Sequence, residues 1–528
     1  MSLPTDEENS ALLLTSYQTL RQTLLTRLSS SSSSSHIIPP LPPPPSLSQT
    51  LTTLPDPTSP TYLHPLGPSA TLAHLHTSIL PSLSNQSLTP LYLAFVTGGS
   101  LPVAEAADNL VSALDNSAQV HLPYHSATGF VEDSALRMLI TLLALGEHKN
   151  WPARTFTTGA TASNILGLAC GREFVISHRL PQNDKKTVAE MGLLEACRVA
   201  GIKKIQVLTS AGHSSLSKAA SIVGLGYSSV KEVRVSEEEP WRLDLDAVER
   251  ELERGEEDGV ASIVVISAGE VNTGRFATGV LDMPKLRSLA DRHGAWIHVD
   301  GAFGIFARVL PKTDDFLDLH AHVAGLELAD SIALDAHKIL NVPYDAGVFL
   351  SRNAAITTQV CQNPNAAYLT PPSTTTTSSE ILPPLNIGLE NSRRFRALPV
   401  YAVLLSEGLP GISSMVARMV RLARRIASFI RDSPHYTLLP SSSSSSSSDP
   451  SALTNTFIIV LFRARNEILN ETLVDKINAL NKIFISGTVW RDQKAARIAV
   501  SNWRCDVDRD FEIVKDVLRD VAESFSSP

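Results

Sequence analysis

The spacing of apolar positions changes along the chain. Residues 11–28 place Leu12, Leu13, Leu20, Leu24, Leu25 and Leu28 at helical intervals, which predicts a helix. The middle of the chain alternates short apolar runs with amphipathic stretches. The runs end at Thr157–Thr158, Val207–Ser210, Val264–Ser267, Ile297–Asp300 and Ile332–Asp335, with helical spacing between several of them, as in Leu243–Leu252 and Met283–Arg292. This alternation predicts an α/β unit built on a mainly parallel sheet. Ligands of such sheets bind outside the carboxyl ends of the strands. The polar residues that close each run are therefore the first place to look for chemistry.

From about residue 395 the pattern differs. Arg396 to Ile430 is strongly helical, followed by strand-like Phe457–Phe462, a helix around Leu473–Leu480, and the short runs Ile483–Ser486 and Arg497–Ser501. This predicts a smaller α+β domain. Three polar tracts punctuate the chain: Ser29–Ser35 with the prolines Pro39 to Pro45, Pro371–Glu380, and Ser441–Ser448. They read as linker or lengthened surface loop. The division that follows is an N-terminal segment over 1–85, a large domain over 86–355, a mobile loop over 356–392 and a small domain over 393–528.

Composition narrows the class without changing the fold. Of 528 residues, 43% are apolar and 19% charged, with 45 basic and 53 acidic side chains and a formal charge of −8. No basic block stands out, which argues against nucleic acid as a partner. Cys170, Cys197, Cys361 and Cys505 are far apart in sequence and form no CxxC. That argues for a reducing compartment and against a metal site. The N-terminus lacks the basic-then-apolar order of a secretory signal, and no unbroken apolar run approaches the ~18 residues of a membrane span. A cytoplasmic protein with no membrane partner is the expectation.

Four features at run ends bear on chemistry. Lys338 follows the run ending at Asp335, Asp300 closes the run before it, Gly159–Asn164 forms a small-residue turn before a helix, and His213 lies in Gly212–Ser215. Each has an ordinary reading as well: a surface lysine, a helix N-cap, a capped turn, a turn histidine. Together they match what pyridoxal 5′-phosphate requires. A lysine amine forms an imine with the aldehyde, a carboxylate keeps the pyridine nitrogen protonated, a helix N-terminus takes the phosphate, and an aromatic ring stacks on the cofactor.

On these residues the chain resembles the pyridoxal-phosphate decarboxylases that include the aromatic-amino-acid and glutamate enzymes. The matching stretches are TTGATASN (157–164), AGHSSLSKA (211–219), NTG (272–274), HVDGAFG (298–304), DSIALDAHKILNVPYDAG (330–347) and SRRFRALPVY (392–401). SGTVWRDQKAARIAVSNW (486–503) resembles the small domain of a microbial branch. The resemblance covers about residues 90 to 510. It implies transferase fold type I, with a mainly parallel seven-stranded sheet, and a homodimer acting on an amino acid.

By the same resemblance, Lys338 would carry the cofactor as a Schiff base, with His337 near the phosphate. Ala160 and Thr161 would bind the phosphate, Asp300 the ring nitrogen, and Ala302 and His213 the two ring faces. His213 would also help position the substrate carboxylate and serve in protonation. Arg394 is the candidate for a substrate carboxylate, with Arg497 a weaker one, and no metal is implied. The relatives carry a catalytic loop tyrosine, and Leu369 to Asn391 has none; Tyr368 precedes that stretch. Without this acid, reaction with oxygen to an aldehyde competes with simple loss of carbon dioxide. Carbon–carbon or carbon–sulfur lysis on the same scaffold, and a non-catalytic protein that keeps the fold, compete with both. Glu270 stands where relatives often have a neutral polar residue; its charge would favour a cationic substrate group, and its ordinary reading is a strand-end surface carboxylate.

Overall fold

The computed structural model describes residues 5–29, 38–119, 122, 124–181, 186–364, 381–440 and 451–526. Seven strands form the large sheet: β1 (Ala153–Thr157), β2 (Lys204–Thr209), β3 (Val230–Glu232), β4 (Val260–Ser267), β5 (Trp296–Asp300), β6 (Ser331–Asp335) and β7 (Gly347–Ser351). Their spatial order is β1-β7-β6-β5-β4-β2-β3. β7 runs antiparallel to both neighbours, while the remaining pairings are parallel. β4 shows why the runs lack polar alternation. Val264 and Ile266 enter one apolar core while Ile263 and Val265 enter the other. A strand covered on both faces is apolar throughout.

The sheet brings the run ends together. Ser267 of β4 is in register with Asp300 of β5, and Asp300 with Ala333 of β6. β1, β2, β4, β5 and β6 all run the same way, so Thr157, Thr209, Ser267, Asp300 and Asp335 share one edge of the sheet.

A second, antiparallel sheet has the order β10-β11-β9-β8, formed by β8 (Tyr436–Leu439), β9 (Ile459–Ala464), β10 (Ser486–Trp490) and β11 (Gln493–Ala499). The Ile483–Ser486 run is displaced from its expected place as a strand. Phe484 instead bridges to Tyr92, with its amide donating to Leu91 O and its carbonyl accepting from Leu93 N. The strand lies further on, and Arg491 and Asp492, both at positive φ, turn β10 into β11. Sequence periodicity missed this because only alternate β10 residues are even half-buried.

The helix expected over Arg396–Ile430 spans Ala397–Asp432 and breaks at Gly408 (φ 54°, ψ −170°), just before Pro410. By length and composition it is apolar enough to cross a membrane. Its buried side packs on helices Pro102–Leu114, Thr128–Leu142 and Val507–Ser526, while Leu405 and Leu409 stay exposed.

The prolines Pro39 to Pro45 are not a free linker. Leu41 exchanges two hydrogen bonds with the Asn481 side chain, and a helix starts at Pro44. Pro at the first helical position loses no hydrogen bond. Ser30–Ser35, Pro371–Glu380 and Ser441–Ser448 lie outside the described residues.

Candidate active site

A cavity of about 600 Å³ opens at the carboxyl edge of the large sheet. It gathers Thr158–Thr161, His213, Asp300, Ala302, His337 and Lys338, together with Phe95–Thr97, Asp335, Tyr344 and Arg497.

At one end, β1 turns through Gly159 into the helix Ala160–Ser177. Gly347 of β7 lies so close that a Cβ there would sit 2.4 Å from Gly159 Cα. The Thr157 and Ser163 hydroxyls, 2.8 Å apart, tie the turn to the helix. The Ala160 amide is already used: it donates to Asp335 Oδ1 at 2.6 Å. Among the described residues no protein group accepts from the Thr161 and Ala162 amides, the donors left over in a first helical turn.

Lys338 lies one turn past β6. Its Nζ is 2.9 Å from Asp335 Oδ2, so Asp335 links the lysine to the helix N-terminus. Asn341 clamps the lysine turn from below. Its Oδ1 accepts from Gly99 N and Trp503 N, while Nδ2 donates to the Ile339 and Ser501 carbonyls. Gly98, at φ 63°, passes so near that a Cβ would lie 2.2 Å from Lys338 O. This contact explains the glycine after Thr97, and Phe95–Thr97 lie along the cavity.

His337 Nδ1 lies 3.1 Å from Ala346 O and 3.2 Å from Ala346 N, bonding to one or the other according to its tautomer, and the ring packs on Tyr344 with centroids 4.4 Å apart. Burial lowers its pKa, and burial likewise lowers that of His213. His213 caps the helix Ser214–Ile222, accepting from Ser215 N at Nδ1. The neutral ring therefore carries its proton on Nε2.

Asp300 accepts from Asn164 Nδ2 at 2.8 Å and from Ala302 N at 3.2 Å. Arg497 is buried, donating from Nε to Val271 O and from Nη1 to Phe95 O. Burial lowers its pKa to about 10 although Glu270 pulls upward; it stays charged at neutral pH.

Two expectations are corrected. Arg394 does not line the cavity. Its guanidinium pairs with Asp108 and donates to Ser112 on the helix Pro102–Leu114, because the SRRFR segment is used to fasten helices. Arg393 likewise pairs with Glu132, and Arg396 with Asp345. Glu270 is not a surface carboxylate. It is buried and accepts from Asn272 N, Thr273 N and Thr273 Oγ1. Tyr368 lies outside the described residues.

Sequence reading assigned no role to Asp335, Asn164, Asn341, Tyr344 or Phe95–Thr97. The first four lie inside motif stretches around Lys338 and the 157–164 turn, so their neighbourhood was visible and their contacts were not.

Residues 74–444 match the pyridoxal-dependent decarboxylase conserved domain. The chain belongs to this family. Its sequence is 28% identical over 334 residues to L-2,4-diaminobutyrate decarboxylase of Acinetobacter baumannii, covering 62% of this chain and 58% of that one. The chain thus spans just over half the length of that relative. It is 23% identical over 446 residues to the aromatic-L-amino-acid decarboxylase of Bacillus atrophaeus, covering 83% and 82%. The structure of Oryza sativa TDC, solved with PLP and tryptamine, superposes with a TM-score of 0.78 at 18% identity over the whole of both chains. The fold is the fold type I of the pyridoxal-dependent decarboxylases.

The family cofactor is pyridoxal 5′-phosphate, and this chain's donor set fits it. The unused first-turn amide of Thr161 lies at the cavity, a hydrogen-bonded carboxylate lines it, and Lys338 is among its lining residues.

Proposed function

We propose that this protein removes the α-carboxylate of an amino acid as carbon dioxide, with pyridoxal phosphate held at Lys338. The observation that carries the reading is that the Lys338 amine, the Asp300 carboxylate and the Thr161 turn open into one cavity. When bound, the cofactor supplies the electron sink for the bond that breaks.

The remaining work belongs to the chain. Asp335 holds Lys338 Nζ at the cavity wall, where the amine would carry the cofactor. Asp300, fixed from two sides, would meet the ring nitrogen. Thr161 would hold the phosphate through its amide and hydroxyl, with His337 on the same cavity wall. Ala302 and His213 would cover the two ring faces, with the His213 Nε2 proton available to an acceptor in the cavity. Arg497 is the cation that receives the substrate carboxylate, since a guanidinium binds a carboxylate through paired hydrogen bonds. Glu270 has its oxygens committed to its own turn and does not select a cationic side chain.

The working unit we propose is a homodimer in a reducing, cytoplasmic setting. Leu110, Leu114, Phe130, Leu405 and Leu409 are exposed on the helix Ala397–Asp432 and the two helices packed against it, and exposed apolar residues gathered on neighbouring elements fit a covered interface. All four cysteines are free. Sedimentation equilibrium at micromolar concentration tests the dimer; a monomer there rejects it.

The decisive assay incubates pyridoxal-phosphate-loaded protein with a panel of amino acids and measures carbon dioxide and organic products. Carbon dioxide with the matching amine supports the proposal. Aldehyde with peroxide and ammonia would reassign the reaction to oxidative deamination. No carbon dioxide from any substrate, or borohydride that fails to fix cofactor to Lys338, defeats it.

A further inference from the structure

A buried chain of hydrogen bonds ends on Asp300. Trp296 Nε1 donates to Ser331 Oγ at 3.0 Å, and Ser331 Oγ lies 2.8 Å from His298 Nδ1. His298 Nε2 lies 2.9 Å from Asn164 Oδ1. Asn164 Nδ2 reaches both Asp300 Oδ2 at 2.8 Å and Ser215 Oγ at 3.2 Å, and Ser215 Oγ is 2.8 Å from His213 Nδ1. Trp296, Ser331, His298 and Asn164 are all at most 1% exposed.

Chemistry fixes the direction of every bond. Indole N–H only donates, so Ser331 Oγ accepts from Trp296, and its own proton goes to His298 Nδ1 because the bonds on the Asp300 side place the proton of the neutral His298 ring on Nε2. A carboxylate only accepts, so Asn164 must present its NH₂ to Asp300 and its oxygen to His298. The His298 proton therefore sits on Nε2. A flipped Asn164 amide would set its oxygen against the Asp300 carboxylate and its NH₂ against the His298 N–H. The side chain thus has one orientation, set by His298 on one side and Asp300 on the other. Its two hydrogens go to the two branches that reach the cavity.

We propose that Asn164 is the positioning residue of the cofactor site, held by His298 so that one amide orients both the Asp300 carboxylate and, through Ser215, the His213 ring. This rests on the reading that Asp300 meets the ring nitrogen. The helix that offers its N-terminus to the phosphate carries Asn164 in its second turn. Phosphate end, ring-nitrogen partner and face-covering histidine are thereby referenced to one rigid element. Buried polar networks whose members are all paired specify geometry in this way.

The test titrates pyridoxal phosphate into apo-protein and records affinity and the visible absorbance of the bound cofactor. Asn164→Leu and His298→Leu are expected to weaken binding roughly tenfold or more, the scale of one lost hydrogen bond to a charged group, and to shift the visible band. His298→Gln places an amide nitrogen near the former Nε2, able to donate to Asn164 Oδ1, and is expected to restore the band and stay within about threefold of wild type. Asn164→Leu with wild-type affinity and spectrum, changed only in melting temperature, would make the network merely structural and overturn the proposal. His298→Gln as damaged as His298→Leu would overturn it too. Should Asn164→Leu fail to fold, the two His298 variants decide the question. Asp300→Asn separates the layers. If it leaves affinity and spectrum unchanged, the ring-nitrogen reading has failed; if it alters them while the Asn164 and His298 variants do not, only this inference has.

Discussion

Replacing Gly167 by Ala tests the packing on which the buried network depends. In the middle of a helix this change ordinarily stabilises by about 1 kcal/mol. Here a Cβ would lie 2.3 Å from His298 Cε1, 2.5 Å from Nδ1 and 2.7 Å from Nε2. Apolar contacts settle near ~3.5–4.0 Å, so the ring has to retreat by roughly 1 Å. It is held at both nitrogens, by Ser331 Oγ at 2.8 Å and Asn164 Oδ1 at 2.9 Å. A retreat of that size takes at least one of these bonds beyond the ~3.2 Å limit of a good hydrogen bond. A broken buried bond costs about 1–3 kcal/mol and the overpacking about 1–3 more. The steric effect exceeds the helix gain, and the expected net loss is about 1–5 kcal/mol. Denaturant midpoints of wild type, Gly167→Ala, His298→Ala and the double variant measure it. With the ring removed the added methyl has space, so the same substitution should stabilise the His298→Ala background by up to about 1 kcal/mol. A Gly167→Ala chain more stable than wild type, or a shift of one sign in both backgrounds, would refute the reasoning.

Three further outcomes are expected. Asp335→Ala removes the acceptor of the Ala160 amide as well as the partner of Lys338, and should cost about 1–3 kcal/mol more than Asp335→Asn, which keeps an acceptor oxygen; equal melting temperatures for the two would show that the amide bond is not needed. Arg497→Ala should raise KM at least tenfold, whereas Arg394→Ala should leave KM unchanged and cost less than about 1 kcal/mol, because its pair with Asp108 is partly exposed; steady-state kinetics with the reverse pattern would reject the assignment of Arg497. Burial lowers the pKa of His298 to about 4, against ~6.5 in the unfolded chain. The unfolded state therefore takes up this proton first as pH falls. The residue's contribution to stability is complete above about 6.5 and is lost on the way down to about 4, a loss on the order of 3 kcal/mol. The wild-type advantage over His298→Gln, from unfolding midpoints across that range, should shrink accordingly, and an advantage independent of pH would contradict it.

Much of this protein was legible before any coordinate. The apolar runs ending at Thr157, Ser267, Asp300 and Asp335 are strands because a sheet covered on both faces needs continuous apolar residues. A strand fixes where its own last residue lies, so the position of Asp300 and Lys338 at one sheet edge followed from local pattern and resemblance. Pairings across distance did not. The partner of Asp335 is an amide 175 positions earlier, Asn164 meets Asp300 across 136, and Arg497 meets Phe95 across 402. No periodicity records such contacts, because they depend on how helices and loops settle on the finished sheet. The same limit explains Arg394 and Glu270. An arginine in a family motif and a carboxylate at a strand end have many possible partners in sequence, and only packing decided that one fastens a helix and the other closes its own turn. Sequence alone determined the strand ends and the order of the reactive side chains; the tertiary structure decided which of them share a cavity and which groups hold them there, because those hydrogen bonds form only after distant segments have been buried together.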